Sequence, residues 1–313
     1  MKKIGLLFSG QGSEIAGMGL DLYQAEPEFR AVIDQASQAS QLDLYQIMQS
    51  PAQLAQTQYA QPAIVAMSVG IAQLLATQQI PVVAAAGLSL GEYAALIANH
   101  TFTLRAGTAL VATRGRLMQQ AIDQQAGQMA AILNASPKQV SASCQALQAQ
   151  GHFVAIANYN SSKQMVVGGT PAGIAALQAQ QSQLLPDNKI VPLKVAGAFH
   201  TALLATAAQK FEPYVAKIKP AVGDYPVFSN TTKQPFEREY LTQTLVLQMA
   251  HATHFSDNLL QLKRQGVEQL IEVGPGKTLS QFARQTVPSI ERFNISNHQQ
   301  FITVLKKLKE VNP

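Results

Sequence analysis

The chain has 313 residues, of which 47% are hydrophobic and 13% charged, and it carries a formal net charge of +5. That balance excludes a disordered chain and supplies apolar surface for one large domain or two modest ones. Basic residues are scattered and aromatics make up only 6%, so no basic stripe with interleaved aromatics marks a nucleic-acid surface.

The opening "MKKIGLLFSGQGS" imitates a leader peptide, but glycines interrupt it after a few apolar residues. It predicts a first strand running into a glycine-rich loop at Gly10, Gln11 and Gly12. "EFRAVIDQASQAS" and "QPAIVAMSVGIAQLLATQQ" carry helical patterns. No uninterrupted apolar run reaches the length of a membrane span, so a cytoplasmic protein without membrane contact is expected.

"IPVVAAAG" then suits a buried strand and "LGEYAALIA" a helix, with Ser89 between Gly87 and Gly91. Two readings compete there. Ser89 and Glu92 form S-x-x-E, a capping box for the following helix. They also lie in G-x-S-x-G, a nucleophile elbow whose glycines let strand and helix meet at a strained turn that turns the hydroxyl outward. The next helix, "TLRAGTALVATRGRLMQQA", places Arg114 in its apolar stripe. A buried guanidinium needs a partner, either inside the protein or as a ligand carboxylate.

Between residues 127 and 195 the rhythm becomes strand, helix, strand, strand, helix, strand. That is the ferredoxin-like order, and it predicts a small domain inserted into a larger α/β domain formed by 1–126 and 196–313. Cys144 is the only cysteine; it excludes an internal disulfide, and no metal cluster is evident. "VAGAFHTALL" sets His200 before a long helix, where an imidazole stays neutral and can act as a base. The tail returns to an α/β pattern with strands in "DYPVFSN" and "QLIEVG". "EVGPGKTLS" is not a phosphate loop, because position 271 is Ile271 rather than glycine.

Taken together, "GQGS", "GLSLGEY", "TRGRLMQ", "NYNSSKQMVVGG", "GAFHTALL" and "EVGPGKTL" resemble, in order, the malonyl-CoA:acyl carrier protein transacylases. The resemblance implies an α/β-hydrolase-like core with an inserted ferredoxin-like (βαββαβ) subdomain. It implies Ser89 as the acylated nucleophile, His200 as its base and Arg114 as the clamp on the malonyl carboxylate. The amides of Gln11 and Leu90 would form the oxyanion hole, and the main-chain carbonyl of Gln248 would orient the histidine. Asn160 matches a family asparagine near the site, and Phe199 matches a position that accompanies malonyl preference. The chain departs from the family's usual pattern at Leu88, at Ser162–Lys163 and in "LVLQMAHATHF". The implied reaction needs no metal or cofactor beyond malonyl-CoA and the phosphopantetheine of the carrier protein, and the expected form is a monomer. Alternatives are the same chemistry serving polyketide synthesis or a malonate decarboxylase, and a serine thioesterase or esterase.

Overall fold

The computed structural model describes residues 2–195 and 197–311; the domain boundary expected at residue 196 lies outside them. Among the described residues the strands are β1 (Ile4–Phe8), β2 (Val82–Gly87), β3 (Gln128–Leu133), β4 (Val154–Ser161), β5 (Gln164–Gly169), β6 (Lys189–Pro192), β7 (Val227–Phe228), β8 (Gln269–Val273) and β9 (Glu291–Ile295). Five form one sheet in the order β7-β2-β1-β8-β9, with every neighbour parallel. β1 and β8 are wholly buried, as expected where helices cover both faces of a parallel sheet. The strand β9, "ERFNI", is an edge that the apolar pattern does not announce.

β3 to β6 make a second, antiparallel sheet in the order β4-β5-β3-β6. Helices Pro137–Ala149 and Pro171–Ala179 connect its strands. The order is that of a ferredoxin-like unit.

Two long helices supply Gln61 and Arg114 to the site. Thr57–Thr77 is apolar and long enough to cross a membrane, but 83% of its most apolar window is buried inside the protein. It is a core helix. Leu104–Gln124 begins at Thr103, whose side chain accepts the Ala106 amide. Its buried face includes Gly107, Leu110, Val111, Arg114 and Met118, the anticipated stripe. Gly115 lets the two helices touch: a Cβ there would lie 3.0 Å from the Thr57 carbonyl oxygen. That close approach brings Arg114 beside Gln61.

Candidate active site

β2 turns into the helix Gly91–Ala98 at Ser89, whose φ is 52°. The turn is too tight for side chains on either flank. A Cβ on Gly87 would sit 2.1 Å from the Gly91 carbonyl carbon, and one on Gly91 would sit 2.1 Å from the Phe8 carbonyl oxygen. Asn230, just beyond β7, holds the turn in place. Its Oδ1 accepts the Ser89 amide at 2.7 Å and its Nδ2 donates to the Gly87 carbonyl at 2.8 Å. The capping-box reading of Ser89 and Glu92 is wrong. The N-cap position is Leu90 and has no side-chain cap, because the left-handed backbone at Ser89 turns its hydroxyl away from the helix amides.

The hydroxyl instead meets His200. Ser89 Oγ lies 2.7 Å from His200 Nε2, and His200 Nδ1 lies 2.7 Å from the Gln248 carbonyl oxygen. A carbonyl only accepts, so the proton is on Nδ1 and Nε2 is the acceptor for the Ser89 hydroxyl. The imidazole is neutral, as anticipated, but for another reason. Burial, aided by the Arg114 charge, pushes its pKa down to about 4, against the pull of the Gln248 carbonyl. The long helix expected after His200 also begins later. β6 ends at Pro192, and a single 3-10 turn, Ala202–Leu204, precedes the helix Ala205–Val215.

Arg114 is 1% exposed. Its Nη1 donates to Gln61 Oε1 at 2.7 Å, and its Nη2 donates to Ser89 Oγ at 3.2 Å and Gln248 Oε1 at 3.1 Å. Its guanidinium carbon lies 5.2 Å from the centre of the Tyr93 ring. Nε has no partner, and among the described residues no carboxylate lies within ion-pair distance of it. Burial lowers its pKa. A cation so enclosed, bonded through Nη1 and Nη2 to neutral groups and in contact with a serine hydroxyl, has the chemistry to receive a carboxylate.

Glu92 lies just behind. One oxygen accepts the Asn230 amide and the other accepts Gln248 Nε2. Burial pushes the carboxyl up to about 8, opposed by those two donors and by Arg114. Both oxygens face N–H groups, the surroundings that suit an ionised carboxylate.

From Arg114 a chain of hydrogen bonds runs outward. Gln61 Nε2 donates to Thr57 Oγ1 at 2.9 Å, and Thr57 Oγ1 donates to Gln11 Oε1 at 2.7 Å. Gln11 lies in the loop after β1, and that loop abuts the elbow: a Cβ on Gly10 would lie 2.7 Å from the Leu88 carbonyl oxygen. Among the described residues the Gln11 and Leu90 amides donate to no protein acceptor. Gln11 and Phe199 line a cleft of about 630 Å³, together with Thr57, Ile122, Met129 and Lys194. The cleft is flanked by Gln128 and Met129 of β3 and Pro192 of β6, and it meets the margin of the site at Gln11, Thr57 and Phe199; Ser89, His200 and Arg114 do not line it.

The acyl transferase domain family matches residues 6–309. A malonyl CoA-acyl carrier protein transacylase of Bacillus subtilis is 30% identical over 318 residues, covering 100% of this chain and 99% of that protein. The chain belongs to the malonyl CoA-acyl carrier protein transacylases. A polyketide biosynthesis malonyl CoA-acyl carrier protein transacylase of Bacillus velezensis is 34% identical over 278 residues, 88% of this chain and 93% of that protein. A crystal structure of MCAT from Streptococcus pneumoniae aligns with a TM-score of 0.91 at 34% identity, covering 97% of this chain and 100% of that one.

In this transacylase Asn160 makes no side-chain hydrogen bond to Ser89 or His200. It is buried on β4, and its side-chain bond is to Gln164 at 3.0 Å, with Oδ1 unpartnered. Ser162 and Lys163 form the β4–β5 turn, where the Ser162 hydroxyl donates to the Gln285 carbonyl. Three residues of the site escaped the sequence reading: Gln61, Asn230 and the side chain of Glu92. Gln61 carried one legible signal, a glutamine inside an apolar helical run. Asn230 carried none, since only the β2–β7 pairing brings it to a turn 141 residues away.

Proposed function

We propose that the chain transfers malonyl from malonyl-CoA to the phosphopantetheine thiol of acyl carrier protein through malonyl-Ser89, supplying fatty acid biosynthesis. The observation that carries this reading is the buried Arg114 guanidinium, 3.2 Å from Ser89 Oγ and, among the described residues, with no carboxylate within ion-pair distance. Ser89 gives its proton to His200 Nε2 as Oγ attacks the thioester carbonyl. His200 Nδ1–H, donating to the Gln248 carbonyl, stabilises the imidazolium that forms. The Gln11 and Leu90 amides receive the oxyanion. The imidazolium returns the proton to the departing CoA sulfur. The carrier thiol then repeats the sequence in reverse, with His200 as its base. Arg114 grips the malonyl carboxylate throughout, and Phe199 limits the space beside the acyl carbon.

Malonyl-CoA and the carrier's phosphopantetheine bring all the chemistry that the reaction requires, and the protein works as a cytoplasmic monomer. Residues 127–195 form the inserted unit, and 1–126 with 196–313 the catalytic one. A hydrolase triad is disfavoured, because His200 leans on a main-chain carbonyl rather than an acid.

The test is kcat/KM for malonyl-CoA and acetyl-CoA on wild-type and Arg114→Ala. Loss of the guanidinium should cost malonyl transfer about 2–5 kcal/mol in transition-state terms and acetyl transfer far less. Equal losses on both thioesters would assign Arg114 to the fold or to the CoA moiety instead.

A further inference from the structure

The Gln248 side chain has neighbours that admit only one orientation of its amide. Nε2 faces the Ser89 carbonyl at 2.8 Å and Glu92 Oε2, while Oε1 faces Arg114 Nη2 at 3.1 Å. A carbonyl only accepts and a guanidinium only donates, and each Glu92 oxygen is placed as an acceptor, one for the Asn230 amide and the other for Gln248 Nε2. Turned over, the amide would set NH2 against the guanidinium and its oxygen against two acceptors. Glu92 is completely buried and is itself fixed by the Asn230 backbone amide, which donates to its other oxygen.

We infer that Glu92 is a positioning residue for substrate choice: by accepting from Gln248 it locks that amide so that Oε1 aligns the Arg114 fork for the substrate carboxylate. The inference rests on the reading of Arg114 as the malonyl clamp. Glu92 touches no substrate atom in this scheme. It acts through Gln248, whose main-chain carbonyl separately holds His200.

Glu92→Gln keeps the shape but replaces one acceptor with a donor. The Asn230 N–H belongs to the backbone and cannot turn away, so Gln248 must flip and present NH2 to Arg114. The readout is the ratio of kcat/KM for malonyl-CoA to that for acetyl-CoA, measured on wild-type, Glu92→Gln, Arg114→Ala and the double variant, with folding checked by circular dichroism. Glu92→Gln should lower the ratio about tenfold or more, the size expected for a lost hydrogen bond to a charged group. In the Arg114→Ala background it should change the ratio no further.

An equal loss on both thioesters overturns the inference, as does a raised ratio or the same fall without Arg114. Gln248→Met removes the amide and keeps the carbonyl that holds His200. It should also lower the ratio, and it carries the test if Glu92→Gln does not fold; an unchanged ratio overturns the inference. Should Arg114→Ala itself leave the ratio unchanged, the clamp reading fails. Should it collapse the ratio while Glu92→Gln and Gln248→Met retain it, only the role of Glu92 fails.

Discussion

Ser89 and His200 both have positive φ, 52° and 60°, a region that costs a residue with a Cβ roughly 1–2 kcal/mol. Glycine escapes that cost, so Ser89→Gly should be about 1 kcal/mol more stable than Ser89→Ala in urea unfolding. Equal stabilities would mean that the turn holds no strain. One part of the pH dependence belongs to His200. Its folded pKa, about 4, lies below the unfolded value near 6.5. Above 6.5 both states are neutral; as pH falls, the unfolded state takes up a proton that the folded state refuses, and stability is lost. Between pH 7 and pH 4.5 His200 should therefore remove about 2–3 kcal/mol of stability. His200→Gln should lack that part of the acid loss, and parallel curves for the two proteins would contradict it. For the same reason the acid limb of kcat/KM should fall near pH 4 rather than 6.5. Phe199→Ser opens the cleft beside His200 and should improve methylmalonyl-CoA relative to malonyl-CoA by about 1–3 kcal/mol at most. Competition between the two thioesters measures this, and an unchanged ratio would acquit Phe199.

At the scale of elements, the sequence patterns that repeat were legible and the contacts that topology creates were not. β2 and the helix after it follow from "PVVAAAG" and "GEYAALIA", and the Arg114 stripe follows from helical spacing. S-x-x-E misled because spacing alone does not report backbone sign; the glycine contacts at 87 and 91 set φ, and they arise only when β2, the helix and β1 are packed. β9 went unread because its middle residues are only half-buried and its start is charged, so no apolar run marks it. Gln248 was reachable through resemblance for its carbonyl, but its side chain gains meaning only beside Glu92 and Arg114. Thr103→Ala removes the cap of the Arg114 helix and should cost about 1 kcal/mol in unfolding while leaving malonyl transfer nearly intact. A loss of transfer without a loss of stability would show that the first turn of this helix acts on the site directly.

The molecule joins a parallel and an antiparallel sheet. β4 is tied to the core by the Asn158–Thr253 bridge, by the Tyr159 amide donating to the Thr253 carbonyl at 2.8 Å, and by Tyr159 stacked 4.6 Å from the His254 ring. These ties fasten the antiparallel sheet to the segment around Thr253 and His254, just after the helix Leu241–Ala250 whose Gln248 carbonyl holds His200. The two-step route requires that an acyl group rest on the elbow between donor and acceptor. The direct measurement is the intact mass of the protein after malonyl-CoA, with the modified peptide mapped, followed by addition of acyl carrier protein. The account predicts one malonyl group on the peptide containing Ser89, absent in Ser89→Ala and discharged onto the carrier. A malonyl adduct that survives Ser89→Ala, or free malonate released without a carrier, would contradict it.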